Sequence, residues 1–281
     1  MEDPKNKGER IAKRLSRSGI CSRRESERWL ADGRVTVDGK RIFNPATLVT
    51  DQSIIIVDGK RVAQPEQPKL WRYHKPRGVL STNSDPENRP TVFDHLPKNL
   101  PRVMLVGRLD FNSEGLLLLT NDGGLARSLE LPSTGWERQY RVRAYGLIDE
   151  SRLGSLADGI TVDGVKYKGI QAKLDKRRGE NSWITVALQE GKNREIRKVM
   201  EYLGLRVNRL IRVAYGPFQL GELQRDTVRE VSAHDLKKQI GAEMRKPRQL
   251  SAKLPPMKPK APATDPKTQK PIRDKNAHRR R

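Results

Sequence analysis

The sequence predicts an α+β protein made of a small module, a larger domain and a basic tail. Three observations carry that expectation. A segment rich in proline and glutamine, Gln64-Pro65-Glu66-Gln67-Pro68, breaks the chain early, where neither a helix nor a central strand could continue. Residues 69–240 then alternate short apolar runs, glycine turns and a few helical patterns, the mixture expected of sheet and helix sharing a core. From Lys246 onward there are seven prolines and almost no aliphatic side chains, too little apolar surface to offset the entropy of ordering the chain. The expected boundaries are 8–66 for the module, 69–240 for the domain and 246–281 for a disordered tail.

Within the module, Ile11 and Leu15 share one face of a first helix, with Arg10, Lys13, Arg14 and Arg17 around them. After Gly19 a second helix opens at Ser22-Arg23-Arg24-Glu25, a capping box in which hydroxyl and carboxylate satisfy each other's backbone donors. Trp29 and Leu30 supply its apolar contacts and Gly33 stops it. Two short strands follow, Val35-Thr36-Val37 and Ile54-Ile55-Ile56-Val57, each running into an Asp-Gly hairpin turn. Arg23, Arg24 and Arg28 then form either a solvated helical face or, with Arg10, Arg14 and Arg17 on the preceding helix, a contact to a nucleic-acid backbone.

In the larger domain, the apolar runs 103–106 and 116–119 read as buried strands on either side of a polar loop centred on Asp110. Polar groups held between rigid strands suit a site. On residue chemistry alone Asp110 has three readings. It is a turn former or partner of Arg108, half of a glycosidase-like carboxylate pair with Glu114, or a lone nucleophile or base. Further on, strand alternation sets Tyr140, Val142 and Ala144 on one face against Gln139, Arg141 and Arg143 on the other. Ile196, Val199, Met200 and Leu203 make an apolar helical stripe ended by Gly204, while Arg194 and Lys198 leave another face. Arg197 has a bland option, an ion pair with Glu201 contributing only ~0.3–0.5 kcal/mol, and a sharper one, a buried carboxylate partner.

The charge selects among function classes. Fifty-seven lysines and arginines face 34 aspartates and glutamates, a net +23. The tail carries 12 basic and 2 acidic side chains, so its +10 leaves +13 on residues 1–245. A body that is basic without its tail favours a polyanion, because each neutralised phosphate releases counterions. No apolar run is long enough to span a bilayer, and Met1-Glu2-Asp3-Pro4-Lys5 has no apolar segment behind it, so neither membrane nor signal peptide is expected. One cysteine, Cys21, excludes an internal disulfide and a cysteine-built metal site, and the four histidines lack ligand spacing. A reducing compartment fits, and no metal is expected.

The run Gly107-Arg108-Leu109-Asp110 followed by Ser113-Glu114-Gly115-Leu116-Leu117-Leu118-Leu119-Thr120-Asn121-Asp122-Gly123 resembles the central motif of the RsuA/RluB-type pseudouridine synthases. Lys75-Pro76-Arg77-Gly78, Arg89-Pro90-Thr91-Val92-Phe93-Asp94, Gln139-Tyr140-Arg141-Val142 and Glu190-Gly191-Lys192-Asn193-Arg194-Glu195-Ile196-Arg197 follow that family's order. Upstream, Ser22-Arg23-Arg24-Glu25 with Gly33-Arg34-Val35-Thr36-Val37-Asp38-Gly39 is similar to the RNA-binding module named after ribosomal protein S-four. The resemblance runs from residue 8 to about 235.

It implies a mixed, largely antiparallel sheet flanked by helices, and an enzyme that isomerises a uridine of ribosomal RNA. The long basic tail resembles the branch acting on the large subunit. It also implies roles: Asp110 as the catalytic carboxylate, Arg108 as the side chain holding the target base out of its helix, Tyr140 as the aromatic wall on the uracil, and Arg197 as the basic neighbour of Asp110. Lys192, Arg194 and Lys198 join Arg14, Arg17, Arg23 and Arg24 as expected RNA contacts. The reaction involves no redox change and no net hydrolysis, so no cofactor is expected. A cytoplasmic monomer acting on ribosomal RNA or a precursor particle follows. Two rivals stand beside it: a non-catalytic RNA-binding assembly factor, and a glycosidase that would release free uracil.

Overall fold

The computed structural model describes residues 8–131 and 134–243; the expected disordered tail lies outside them. In the module, strands β1 (Glu9–Arg10), β2 (Val35–Val37), β3 (Lys40–Arg41), β4 (Leu48–Val49), β5 (Ile55–Val57) and β6 (Lys60–Arg61) accompany helices α1 (Ile11–Arg17) and α2 (Arg23–Ala31). The capping box forms: the Glu25 N–H donates to Ser22 Oγ at 3.1 Å and the Ser22 N–H to Glu25 Oε2 at 3.2 Å. Asp38-Gly39 and Asp58-Gly59 both take positive φ, at 49° and 80° and at 49° and 77°, as a two-residue hairpin turn of matching twist requires. The resulting sheet runs β3-β2-β5-β6. Ile11, Leu15, Cys21, Leu30 and Val35 are fully buried between it and the helices. Burial pushes the Cys21 thiol up to about 11, which leaves it an inert core group.

The larger domain adds strands β7 (Leu70–Lys75), β8 (Met104–Val106), β9 (Glu114–Thr120), β10 (Arg138–Tyr145), β11 (Ile160–Val162), β12 (Val165–Tyr167), β13 (Gln171–Arg178), β14 (Asn181–Leu188), β15 (Arg206–Tyr215), β16 (Phe218–Gln219) and β17 (Val228–Val231). Its helices are α3 (Val92–His95), α4 (Gly123–Glu130), α5 (Glu150–Ser155), α6 (Glu195–Tyr202) and α7 (Ala233–Glu243). The main sheet runs β13-β14-β10-β15-β9-β7-β17, with β8 against β9 and β16 against β15. Every pairing is antiparallel except that of β9 with β15, so the sheet is mixed and largely antiparallel, as expected.

Two cores sit on its two faces. Leu117, Leu119, Tyr140, Val142 and Leu210 pack toward α5 and α6 on the first face, where Leu153, Val199 and Met200 meet them. On the second face Leu70, Leu116 and Leu118 lie under Ala126 and Leu129 of α4 and Leu236 of α7. β9 therefore buries all seven of its residues, which explains its uninterrupted apolar run. Its contact with β15 is so close that Gly115, at φ +107°, admits no side chain: a Cβ there would lie 2.3 Å from the Arg212 carbonyl oxygen.

Candidate active site

The loop between β8 and β9 is fixed from below. Lys75 ends β7 opposite Gly115, and its fully buried Nζ donates to the carbonyls of Pro76 at 3.0 Å, Asp110 at 3.2 Å and Ser113 at 3.0 Å. Burial pushes this ammonium down to about 8, against the opposing pull of Asp110 and Glu114. Ser81 closes the other side, its Oγ donating to the Leu109 carbonyl at 2.8 Å and accepting from the Leu109 N–H at 3.2 Å. Both contacts grip backbone, which leaves the Asp110 side chain available at the mouth of the loop.

Asp110 lines an open cleft of about 1160 Å³, shared with Arg108, Tyr140, Lys192, Arg194 and Arg212. Tyr140 is 9% exposed and, as the strand alternation predicts, lies on the face of Val142 and Ala144. Arg212 is its cross-strand partner and also pairs with Gly115, so the parallel contact between β15 and β9 brings Tyr140, Arg212 and the Asp110 loop together. Arg212 is 2% exposed; its Nε donates to the Leu116 carbonyl at 2.7 Å, and one terminal nitrogen is buried without a partner. A buried cationic donor with spare valence beside a carboxylate can meet a carbonyl of a bound base or stabilise negative charge.

Several expected site residues lie elsewhere or act otherwise. Arg197 makes no ion pair with Asp110; it donates to the carbonyls of Val207 at 3.2 Å and Asn112 at 2.9 Å. Burial lowers its pKa and the field of Asp110 raises it, so the two charges sense each other without touching. Its position at the start of α6 puts the guanidinium beneath the loop, where carbonyls are nearer than the carboxylate. Glu114, the second carboxylate of the glycosidase reading, points to the opposite face of the sheet. There it is 2% exposed and paired with Arg209 at 2.5 Å and Arg225 at 3.2 Å. Burial alone would raise its pKa, but these arginines hold it below the ordinary value. A two-carboxylate site is therefore not assembled around Asp110.

The expected RNA contacts divide as well. Arg23 and Arg24 are exposed on α2. Arg14 is 4% exposed, with Glu9 at 2.8 Å, Asp51 at 2.5 Å and Gln64 at 2.7 Å around its guanidinium. A helix pattern shows only the residues on that helix, and these partners come from a strand and two loops. Arg17 is partly exposed and pairs with Glu9 at 2.9 Å and, across the module boundary, with Asp122 at 3.2 Å. Arg108 is exposed on the cleft, where Arg194 is exposed too. Lys192 also lines the cleft and sits over the Tyr167 ring at 5.4 Å, with Glu190 at 3.2 Å. Lys198 faces a separate small groove with Asp163, Glu201 and Tyr202. Sequence reasoning missed Arg212. Its signal was a lone arginine within the apolar run Leu210-Ile211-Arg212-Val213-Ala214, since a charge buried in a strand needs a reason.

Glu195 adds a titrating group to the cleft wall. It is 3% exposed and accepts from the Lys192 N–H at 2.9 Å, while Oε1 has no hydrogen-bond partner. Burial, helped by the charge of Glu190 and opposed by the Lys192 N–H, pushes its carboxyl up from 4.5 to about 7. A raised acid pKa means the folded state holds the proton longer, so this group's contribution to stability falls as pH rises from about 4.5 through 7. Glu195→Gln keeps an acceptor for Lys192 and removes the titration. Its unfolding free energy is expected to equal wild type near pH 4.5 and to exceed it increasingly up to pH 8, by at most about 3 kcal/mol, with the melting temperature rising in step. A difference between the two proteins that stays constant over that range would remove Glu195 as the titrating group.

Among the described residues no helix is long and apolar enough to cross a membrane, and no cluster of three or more ligand-type side chains could hold a metal ion. Residues 69–202 match the family described as RNA pseudouridylate synthase, and residues 9–55 match the S4 domain. A relative from Rickettsia felis, named an uncharacterized RNA pseudouridine synthase, is 48% identical over 230 residues, which cover 82% of this chain and 100% of that one. A Salmonella typhi protein named ribosomal large subunit pseudouridine synthase B is 44% identical over 218 residues, 75% of each chain. A solved structure titled as a pseudouridylate synthase superposes with a TM-score of 0.56 at 23% identity, covering 80% of this chain and 98% of the other, a likeness of fold.

Proposed function

Because the chain belongs to the RNA pseudouridylate synthase family and carries an S4 domain, we propose that it isomerises one uridine of large-subunit ribosomal RNA, with Asp110 as the catalytic carboxylate. The observation that carries the reading is the convergence in one cleft of Asp110, on a loop whose backbone Lys75 anchors, with Tyr140 and Arg212. The reaction breaks the bond between ribose C1′ and N1, turns the uracil, and joins C1′ to C5. The C5 hydrogen leaves and N1 gains one, so atoms balance without oxidant, reductant or water. One carboxylate suffices, since no water has to be activated across from it. Asp110 attacks the nucleoside or takes its proton, and Tyr140 packs on the detached ring, which must not escape. Arg212 supplies the buried donor for a uracil carbonyl.

Arg108, exposed at the cleft, holds the target nucleotide out of its stack, a displacement that costs a few kcal/mol and least in a loop. Arg23 and Arg24 on the module and Lys192 and Arg194 at the cleft contact phosphate. Arg197 positions the Asp110 loop through the Asn112 carbonyl. The chain works in the cytoplasm as a monomer without a cofactor. A pseudouridine map of ribosomal RNA from cells lacking the protein tests this. One large-subunit site is expected to disappear and to return with wild type but not with Asp110→Asn. A map that does not change would favour the RNA-binding assembly factor.

A further inference from the structure

The second face of the main sheet is covered by α4 and α7 over β9 and β7, but over β13, β14 and β10 its side chains stand open. Those side chains are basic in register. Lys176, Trp183, Arg143 and Arg209 form one row straight across β13, β14, β10 and β15. The row beyond it ends in Arg178 on one side and Arg206 on the other, joined through Asn181 and Tyr145. Four strands at ~4.8 Å spacing make each row ~14 Å wide. Lys173, Lys176, Arg178, Arg143 and Arg206 are all exposed. Acidic groups there are few. Asp175 accepts from Thr185 at 2.7 Å and lies 3.9 Å from Arg141, Glu180 accepts from the Tyr145 hydroxyl at the hairpin end, and Glu114 is buried behind Arg209.

Like charges set directly opposite on a sheet cost stability, as Arg143 and Arg209 are here. A face that accumulates them is suited to a polyanion. The aromatic groups point to backbone rather than base contact: Arg141 covers the Trp183 ring at 4.7 Å and Arg206 the Tyr145 ring at 5.1 Å, so guanidinium already occupies surfaces on which bases would stack. None of these residues lines the Asp110 cleft, which opens on the side of Tyr140. We propose that this open face binds the phosphate backbone of a second arm of the structured RNA whose target nucleotide occupies the cleft, the RNA passing round the free edge at β13. The proposal rests on the reading of RNA as the substrate.

Lysines on an edge strand also have a plain role, since charge there discourages edge-to-edge pairing. Charge reversal separates the two. A Lys173→Glu, Lys176→Glu, Arg178→Glu protein keeps a charged edge but repels phosphate. Affinity, kcat and KM are measured for a long ribosomal RNA fragment and for a short stem-loop too small to reach beyond the cleft, with melting temperature as the check on folding. For the long RNA we expect at least tenfold weaker binding, a correspondingly higher KM, an unchanged kcat, and a log–log salt slope smaller by about 2–3, as three lost phosphate contacts require. Binding of the long RNA within twofold of wild type, with the same slope, would overturn the proposal. So would an equal loss on both RNAs, because the face would then not act at a distance from the cleft. If wild type forms no pseudouridine in either RNA, the catalytic reading fails, and the affinity and salt slope still decide the role of this face.

Discussion

An Asp110→Asn protein is expected to melt within a degree or two of wild type, to bind its RNA with nearly unchanged affinity, and to form pseudouridine at least about 10³-fold more slowly, the scale of losing a group that acts in the chemical step. The three parts of that expectation come from separate contacts. Lys75 holds the Asp110 carbonyl, and Ser81 holds the neighbouring Leu109, so the loop does not depend on the carboxylate. Arg197 and Arg212 both donate to backbone carbonyls and neither is ion-paired with Asp110, so neutralising Asp110 strands no buried ion pair. Only the chemistry loses its group. Hydrogen release from C5-labelled uridine, measured beside equilibrium binding, separates the terms. Turnover within tenfold of wild type would move the chemistry to another residue, and weakened binding with normal turnover at saturation would recast Asp110 as a substrate contact.

The second large effect is one of packing. Gly115→Ala is expected to destabilise the domain by at least about 3 kcal/mol, because its methyl would meet the Arg212 carbonyl oxygen at 2.3 Å and nitrogen at 2.7 Å, both backbone atoms in the sheet's one parallel pairing. For a body of this size that is a melting-temperature loss of roughly 6–12 °C. Gly19→Ala is the control. Gly19 also has a positive φ, 78°, but a Cβ there meets nothing within 4 Å, so only the left-handed backbone strain of about 1 kcal/mol applies. Equal losses in the two proteins would mean that strain, and not the close approach of β9 to β15, explains the glycine at 115. The same substitution shifts Arg212 relative to Asp110, and activity should fall further than the folded fraction does.

These contrasts also show what a sequence can and cannot disclose. The Asp-Gly turns, the Ser22–Glu25 cap and the facing of Tyr140 were legible because each is decided within a few residues by φ sign, by reciprocal hydrogen bonds or by strand alternation. Asp110 gained its role from the resemblance; local chemistry alone left it among three readings. What the sequence did not disclose is long-range. Arg14 is an expected RNA contact, but Asp51 and Gln64 from distant loops enclose its guanidinium. Arg197 was given a carboxylate and found carbonyls. Lys75 was noticed as part of a motif, but that its ammonium clamps residues 110 and 113 depends on β7 lying antiparallel to β9, which no local pattern states. Glu114 stands four positions from Asp110, yet lies across the sheet from the cleft.

The pairing of β9 with β15 has a consequence for how the protein is made. Ile211 follows its partner Glu114 by 97 positions. At ~5–20 residues per second, a ribosome takes on the order of 5–20 s to deliver the second strand after the first. During that interval β7 covers one edge of β9 and β8 covers Leu118, Leu119 and Thr120 on the other, but the stretch at Glu114 and Gly115 that awaits β15 stays open, with Leu116 and Leu117 beside it. Such an edge is where nascent chains associate wrongly. The newborn protein thus passes through a period of vulnerability set by its topology, and its dependence on chaperones should be greatest for chains halted between residues 120 and 206.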